Sequence, residues 1–191
     1  WEKELGRTLP PKTPPPFTRP GSAPLPRDHG LIMARLAYAM ASGQYKYDAN
    51  SPHPEIYMFV TNGYEGLKYS TEKAIEMGID IILYSQVWEF SGNLNGAGYI
   101  NAIVNKAVRS GILWVNAAGN FANSLYRGPV INAANGEVPL PYQGRFVRFE
   151  VKEEEAMVRL SLAWNDFRDD YFYATRQDLD IILESPNGEL I

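Results

Sequence analysis

The chain has 191 residues, 45% of them hydrophobic and 21% charged, which is typical of one globular domain with a proper core. The net charge of −4 gives no basic surface for nucleic acid or anionic lipid, and no apolar run reaches the ~18 residues of a membrane span. The absence of cysteine excludes disulfides, thiolate metal sites and a cysteine nucleophile.

The chain begins with a proline-rich segment. Prolines are concentrated between Pro10 and Pro26, and proline favours extended backbone and interrupts helices. We therefore expect residues 1–28 to form an extended arm or linker before the folded part of the chain.

An apolar segment follows His29. Nearly every residue from Leu31 to Met40 is apolar, which predicts a buried helix that ends near Gly43. His29 stands at the N-terminal end of this helix. A histidine in that place can be a cap, a packed residue or a catalytic base. The chain has one other histidine, His53, between two prolines in a predicted loop.

Residues 56 to 115 alternate between patterns typical of strands and of helices. Because helices separate the strands, we expect a parallel sheet with helices on both faces. The last strand is apolar throughout, which predicts burial on both of its faces. The predicted elements are strands over 56–60, 79–84 and 112–115, helices over 70–77 and 99–109, a loop over 85–98, and Gly111 as a left-handed helix cap.

Asn120 comes shortly after the last predicted strand, in the sequence Ala-Ala-Gly-Asn. Ligands of open parallel sheets bind beyond the carboxyl ends of the strands. An asparagine amide at this edge can donate a hydrogen bond to the oxyanion that develops in acyl transfer. On the residues alone, a structural asparagine in a turn is the other interpretation.

Three motifs of the chain resemble, in the same order, those of the subtilisin-like serine proteases, the subtilases. Residues 29–34 have His-Gly followed by apolar residues, like the histidine motif of the family. Residues 74–85 have a helix, Gly-Ile-Asp and a strand that ends in serine. Residues 107–120 have a helix, Ser-Gly, a strand and Ala-Ala-Gly-Asn. The resemblance covers about half of the chain, and it is the ordered set of motifs that is specific.

The resemblance implies a role for each residue of the site. His29 would be the general base, and Asn120 would donate the side-chain hydrogen bond of the oxyanion hole. Gly119 would line the pocket for the residue before the scissile bond. The strand edge along which a peptide or protein substrate pairs would be formed by Ser85, Gln86 and Val87.

The chain also departs from the family pattern. No aspartate occurs in residues 1–27, and Asp28 directly adjoins the histidine that it would have to orient. The Gly-Thr-Ser motif of the nucleophile is absent too. Leu and Ile at 31–32 replace Thr-His, and Gln-Val-Trp at 86–88 replaces Leu-Gly-Gly and is expected to narrow the cleft. We therefore expect the triad aspartate and serine to lie outside these 191 residues, and the 191-residue chain alone to be inactive.

The last third of the chain has the alternation typical of β-strands. The pattern covers residues 146–149, 158–164 and 178–183, and Asn-Gly at 187–188 is a hairpin signal. These residues resemble a β-sandwich that some bacterial subtilases insert between the asparagine and serine motifs. We expect incomplete antiparallel strands that add none to the parallel sheet. The resemblance implies no cofactor. Five acidic residues of this region could nevertheless bind Ca²⁺ together: Asp166, Asp169, Asp170, Asp178 and Asp180.

The complete prediction is an α/β chain in three parts: the arm 1–28, a partial subtilase-like core 29–140 and a partial β-sandwich 141–191. The parent protein is expected to be a secreted or cell-surface endopeptidase, with a peptide or protein substrate and the remainder of the same protease as partners. Two alternatives remain. One is a catalytically inactive subtilase-like module that binds peptides or proteins, and the other is a flavodoxin-like binding domain with a β appendage.

Overall fold

The structure is a computed structural model that describes residues 19–21, 29–43, 54–89, 92–121, 124–125, 127–129, 150–151, 157–173 and 175–191. Helices and a small sheet make this part of the chain a mixed α/β protein. Its elements are α1 (His29–Ser42), α2 (Gly63–Glu76), β1 (Ile81–Tyr84), α3 (Tyr99–Arg109) and β2 (Leu113–Asn116).

The chain divides into two compact units. The first contains Trp1–Ala117 together with Leu162–Ile191, and it holds all five elements. The second contains Ala118–Ser161. The C-terminal residues therefore belong to the α/β unit, and the residues that follow β2 form the other.

β1 and β2 are parallel neighbours, as the sequence predicts for strands separated by a helix. The register places Ile81 opposite Leu113 and Tyr84 opposite Asn116. The pairing continues one residue further, because the N–H of Ala117 donates to the carbonyl of Tyr84 at 3.0 Å. With α3 as the connection, the two strands form a βαβ unit, and their carboxyl ends lie at the same edge.

Helix α3 forms with the predicted bounds. Ile100, Ile103 and Ala107 recur at helical spacing and are buried. The helix ends at Arg109, and Gly111, just past its end, has φ +90° and donates its N–H to the carbonyl of Val108 at 3.0 Å. A left-handed φ carries little steric cost for glycine, so the predicted glycine cap is confirmed.

The core lies between α2, α3 and one face of the sheet. Leu67 of α2 is only 1% exposed and packs with Tyr84 of β1 and Ile103 of α3. Truncating such a buried leucine to alanine costs about 2–5 kcal/mol, so this cluster is a main source of stability. The partly buried residues that complete it are Tyr64, Ile82, Trp88, Trp114 and Phe167.

The opposite face of the sheet is exposed. The prediction that the strand at 112–115 is buried on both faces is therefore wrong for the described residues. A short apolar run cannot show which of its faces is covered. Helix α1 forms with the predicted bounds but also exposes an apolar stripe. The exposed residues are Ile81, Leu83, Leu113 and Val115 on the sheet and Ile32, Leu36 and Met40 on α1.

Two predicted elements differ from the structure. Residues 56–60 contain a single β-bridge residue, Phe59, in place of a strand. Helix α2 begins at Gly63, well before the predicted start at residue 70. The cause is Asn62, a strand-ending turn signal in the sequence that is the N-cap of α2 in the structure, with extended backbone at φ −90° and ψ 115°.

The described C-terminal residues are mostly irregular. They form no strand over 158–164 or 178–183, and the pattern at 146–149 lies outside the described residues. Alternation favours a strand, but a strand forms only with a partner to pair with. The turn signal at 187–188 is confirmed, since an antiparallel bridge joins Glu184 to Leu190 around it. Within the described part of the chain, none of these residues joins the parallel sheet.

The C-terminal residues dock at the N-terminal end of α3. Asn93 exchanges two hydrogen bonds of 2.7 Å with the backbone of Phe167. The N–H of Gly98, the N-cap of α3, donates to the carboxylate of Asp169 at 2.8 Å. Tyr171 stacks on Tyr64 with 4.5 Å between ring centroids. Asp169 thus provides a distant equivalent of a capping box, a negative charge where the helix dipole is positive.

We expect Asp169→Ala to lower the free energy of unfolding by about 1 kcal/mol, because the helix loses both a hydrogen bond and a favourable charge. Urea denaturation followed by circular dichroism measures this loss. Asp180→Ala removes an acid from the same C-terminal region and serves as the control. Equal stability of the two variants would contradict a capping role for Asp169.

Candidate functional site

The site is built around a contact between the start of α1 and the end of β1. The Nε2 atom of His29 lies 2.9 Å from the hydroxyl oxygen and 3.3 Å from the carbonyl oxygen of Ser85. The two residues are 56 positions apart in sequence. Ser85 directly follows β1, so the imidazole lies at the carboxyl edge of the parallel sheet, the edge at which such sheets bind ligands.

His29 is the first residue of helix α1, which is buried along one face. Leu31, Ala34 and Tyr38 recur along one face of the helix and are buried. Gly30 lies against Met58, since a Cβ added at Gly30 would come within 3.2 Å of the Met58 Cε atom. Glycine at position 30 therefore lets the first turn of α1 pack closely against Met58.

The segment after β1 is held by side chains of both strands. Asn116, the last residue of β2, donates from Nδ2 to the carbonyl of Gln86 at 3.2 Å. Trp88 donates from Nε1 to the hydroxyl of Tyr84 at 3.0 Å and packs against the core cluster. The indole of Trp88 thus packs on the core, and the expectation that residues 86–88 narrow a cleft stays a prediction. Val87 is half-buried.

Sequence reasoning missed Asn116. It stands between an apolar strand and Ala117, and its only signal was a polar residue at a strand end. In the structure its bond to Gln86 joins the end of β2 to the segment after β1, and its Oδ1 accepts a hydrogen bond from Trp114 Nε1 of the same strand at 3.1 Å. Asn116 therefore positions the predicted substrate edge.

Tyr84 is the titratable side chain nearest in sequence to Ser85. Burial raises the pKa of the Tyr84 hydroxyl, and the hydrogen bond from Trp88 opposes this shift. The phenol is therefore neutral at physiological pH and acts as a hydrogen-bonding anchor. His29 is left as the candidate proton acceptor at this edge.

Gly119 and Asn120 belong to the second unit. Gly119 has φ +91°, and the ring of Phe121 covers the direction in which a side chain would project, so only glycine fits this position. Asn120 is exposed, and beyond it the N–H of Ser124 donates to the carbonyl of Phe121 at 2.7 Å. The convergence of Asn120 with His29 stays a prediction.

A shallow groove between α2 and α3 is lined by other residues. Its volume is about 150 Å³, and its walls include Tyr64, Lys68 and Tyr99. Lys106 at its rim pairs with Glu72 at 2.7 Å. None of the residues that line the groove is a predicted site residue, so we do not assign it as the site.

The acidic residues of the C-terminal region organise a loop. One carboxylate oxygen of Asp166 accepts hydrogen bonds from the backbone of Arg176 and Gln177 at 2.6 and 2.8 Å and from the hydroxyl of Thr175 at 3.0 Å. These bonds, the one from Arg176 first, lower the pKa of Asp166. Their stabilisation is present above about pH 4 and is lost as the pH falls through the lowered pKa. The described residues contain no group of three or more side chains suited to hold a metal ion.

Comparisons with protein-family models, curated proteins and solved structures find no match to this chain. No helix among the described residues is long and apolar enough to cross a membrane. The interpretation of the site therefore depends on the sequence motifs and on the geometry around His29 and Ser85.

Proposed function

We propose that this chain is the part of a subtilisin-like serine endopeptidase that carries the general base and the oxyanion donor. The aspartate and the serine of the triad would come from polypeptide outside these 191 residues. The observation that supports the proposal is the contact between His29 and Ser85, which brings the ends of two separate sequence motifs together at the carboxyl edge of a parallel sheet.

The contact supports this function because peptide hydrolysis needs a base beside the bound backbone. An extended substrate can pair with residues 85–87, and the base then lies at one end of that pairing. Ser85 is the residue at which this edge and the imidazole meet. In this proposal, the contact between His29 and Ser85 places the base at one end of residues 85–87, the edge with which the peptide pairs.

Each residue then has a chemical role in the proposed reaction. His29 accepts the proton of the attacking serine hydroxyl while the serine oxygen bonds to the scissile carbonyl carbon. Asn120 donates to the oxygen that becomes negative in the tetrahedral intermediate. His29 then returns the proton to the departing amine, and water hydrolyses the acyl-enzyme by the same two steps.

Fluorophosphonate labelling of the full-length protein tests this function. A fluorophosphonate probe bonds covalently to an activated serine, and mass spectrometry of the digested protein locates the label. We expect one labelled serine, outside residues 1–191, and no label after His29→Ala. A full-length protein that takes no label and cleaves no peptide would contradict the proposal.

A second candidate is a catalytically inactive module that binds peptides. The observation that favours it is the absence from the sequence of both the aspartate and the serine motif. For this candidate, the full-length protein binds extended peptides without cleaving them, and His29→Ala leaves hydrolysis at zero. Binding measured by calorimetry, together with mass spectrometry of the peptide after incubation, separates the two candidates.

Replacing Asn120 by alanine in the full-length protein should lower kcat about 10²–10³-fold with little change in KM, because the amide contacts the transition state and not the ground state. Steady-state kinetics on a chromogenic peptide measure this effect. Asn105→Ala, an exposed asparagine of α3, is the matched control. A loss confined to KM would assign Asn120 to ground-state binding and contradict its role as an oxyanion donor.

A further inference from the structure

Ser85 approaches the Nε2 atom of His29 with two different oxygens. The hydroxyl oxygen lies at 2.9 Å and the carbonyl oxygen at 3.3 Å. A hydroxyl can donate or accept a hydrogen bond, whereas a carbonyl can only accept one. The carbonyl contact therefore decides the direction of the hydrogen bond.

An unprotonated Nε2 would direct its lone pair at the lone pairs of the carbonyl oxygen, which is repulsive. A protonated Nε2 satisfies both contacts with one shared N–H. In the neutral ring the proton on Nε2 leaves Nδ1 as the acceptor.

From this geometry we propose that Ser85 is a positioning residue that holds His29 in the Nε2–H tautomer. A general base in a Ser-His-Asp triad needs the opposite tautomer, with the proton on Nδ1 facing the aspartate and Nε2 free. His29 in this chain is thus held in a resting tautomer that cannot accept a proton from a nucleophile. The tautomer rests on the contact itself, whereas its link to substrate binding rests on the proposed function.

The contact between His29 and Ser85 also affects residues 85–87, the edge that pairs with a peptide in the proposed function. The carbonyl of Ser85 accepts from His29, so it is occupied when the edge is empty. A peptide whose N–H donates to the carbonyl of Ser85 competes with His29 for that oxygen. The Nε2 proton then keeps one acceptor, the hydroxyl oxygen, in place of two. Filling the edge therefore weakens the resting tautomer, and the base becomes available when substrate is present.

Nitrogen-15 NMR of the histidine ring tests the proposal on the 191-residue chain. The His53→Ala variant leaves His29 as the one histidine, so its ring nitrogens are assigned without ambiguity. The measured quantity is the ratio of the Nδ1–H to the Nε2–H tautomer of the neutral ring. We expect this ratio to be about fivefold lower in the folded chain than in the same chain unfolded in urea, the shift that one typical net hydrogen bond supplies.

Variants of Ser85 complete the test. Ser85→Ala removes the hydroxyl, which can donate as well as accept, and keeps the carbonyl, which can only accept, so the tautomer ratio should stay within about twofold of the wild-type folded value. Ser85→Thr keeps a hydroxyl and should retain the shift, and Ser110→Ala, at an exposed hydroxyl, should not change it. A folded chain with the unfolded ratio or a higher one, or a folded Ser85→Ala variant with the unfolded ratio, would overturn the proposal. Either result leaves the fluorophosphonate test of the full-length protein unaffected.

Discussion

Replacing His29 by alanine in the full-length protein is expected to lower kcat for peptide hydrolysis about 10⁶-fold, the loss that follows removal of the base from a catalytic triad. Without the imidazole, the serine proton has no acceptor and the leaving amine has no donor. The remaining rate comes from substrate binding and the oxyanion hole alone. Single-turnover and steady-state kinetics on the same peptide measure the loss.

The chain offers a matched control for this experiment. His53 is the only other histidine, and the resemblance gives it no role. His53→Ala should keep kcat within about twofold of the wild type, since a substitution that touches no reacting atom leaves transition-state binding unchanged. If His53→Ala and His29→Ala lose activity equally, or neither loses it, His29 is not the base.

The purified 191-residue chain should neither hydrolyse peptides nor react with a fluorophosphonate. It contains neither triad serine motif nor triad aspartate motif, and members of a triad act as a unit. In the tautomer that we propose for His29, the nearby Ser85 accepts a hydrogen bond from the imidazole, so its proton is not being removed.

This second prediction is checked by labelling at high probe concentration, with the full-length protein as the positive sample. Denatured chain controls for non-specific labelling of exposed hydroxyls. Stoichiometric labelling of the 191-residue chain that disappears in His29→Ala would show that a serine of this chain acts as the nucleophile and that the chain is active by itself.

The sequence predicts the elements whose patterns are strong and local. Helix α3 has apolar residues at strict helical spacing and a glycine in its cap, and its bounds agree with the structure. The strand predicted at 56–60 is wrong because a single apolar run does not say whether a partner is present. The early start of α2 was missed because Asn62 signals a turn and a helix start equally well.

In the candidate site, too, the sequence predicts the local features but not the contacts between distant residues. The sequence motifs place both His29 and Ser85 at element ends, but their contact depends on how α1 packs against the sheet. Asn116 was missed because its role comes from the register of β1 and β2. The sequence suggests Asp169 as a calcium ligand. In the structure its carboxylate accepts a hydrogen bond from the N–H of Gly98, at the N-terminal end of α3 and 71 residues earlier in the chain. Long-range pairings of this kind leave no periodic signal in a sequence.

The central claim is that His29 and Asn120 act on the same reacting carbonyl. A crystal structure of the full-length protein with a peptide boronate tests it most directly, because the boronate is a tetrahedral analogue of the intermediate. We predict that His29 Nε2 and Asn120 Nδ2 each lie about 3 Å from a boronate oxygen. A structure with the two side chains on opposite faces of the protein would contradict the subtilase assignment.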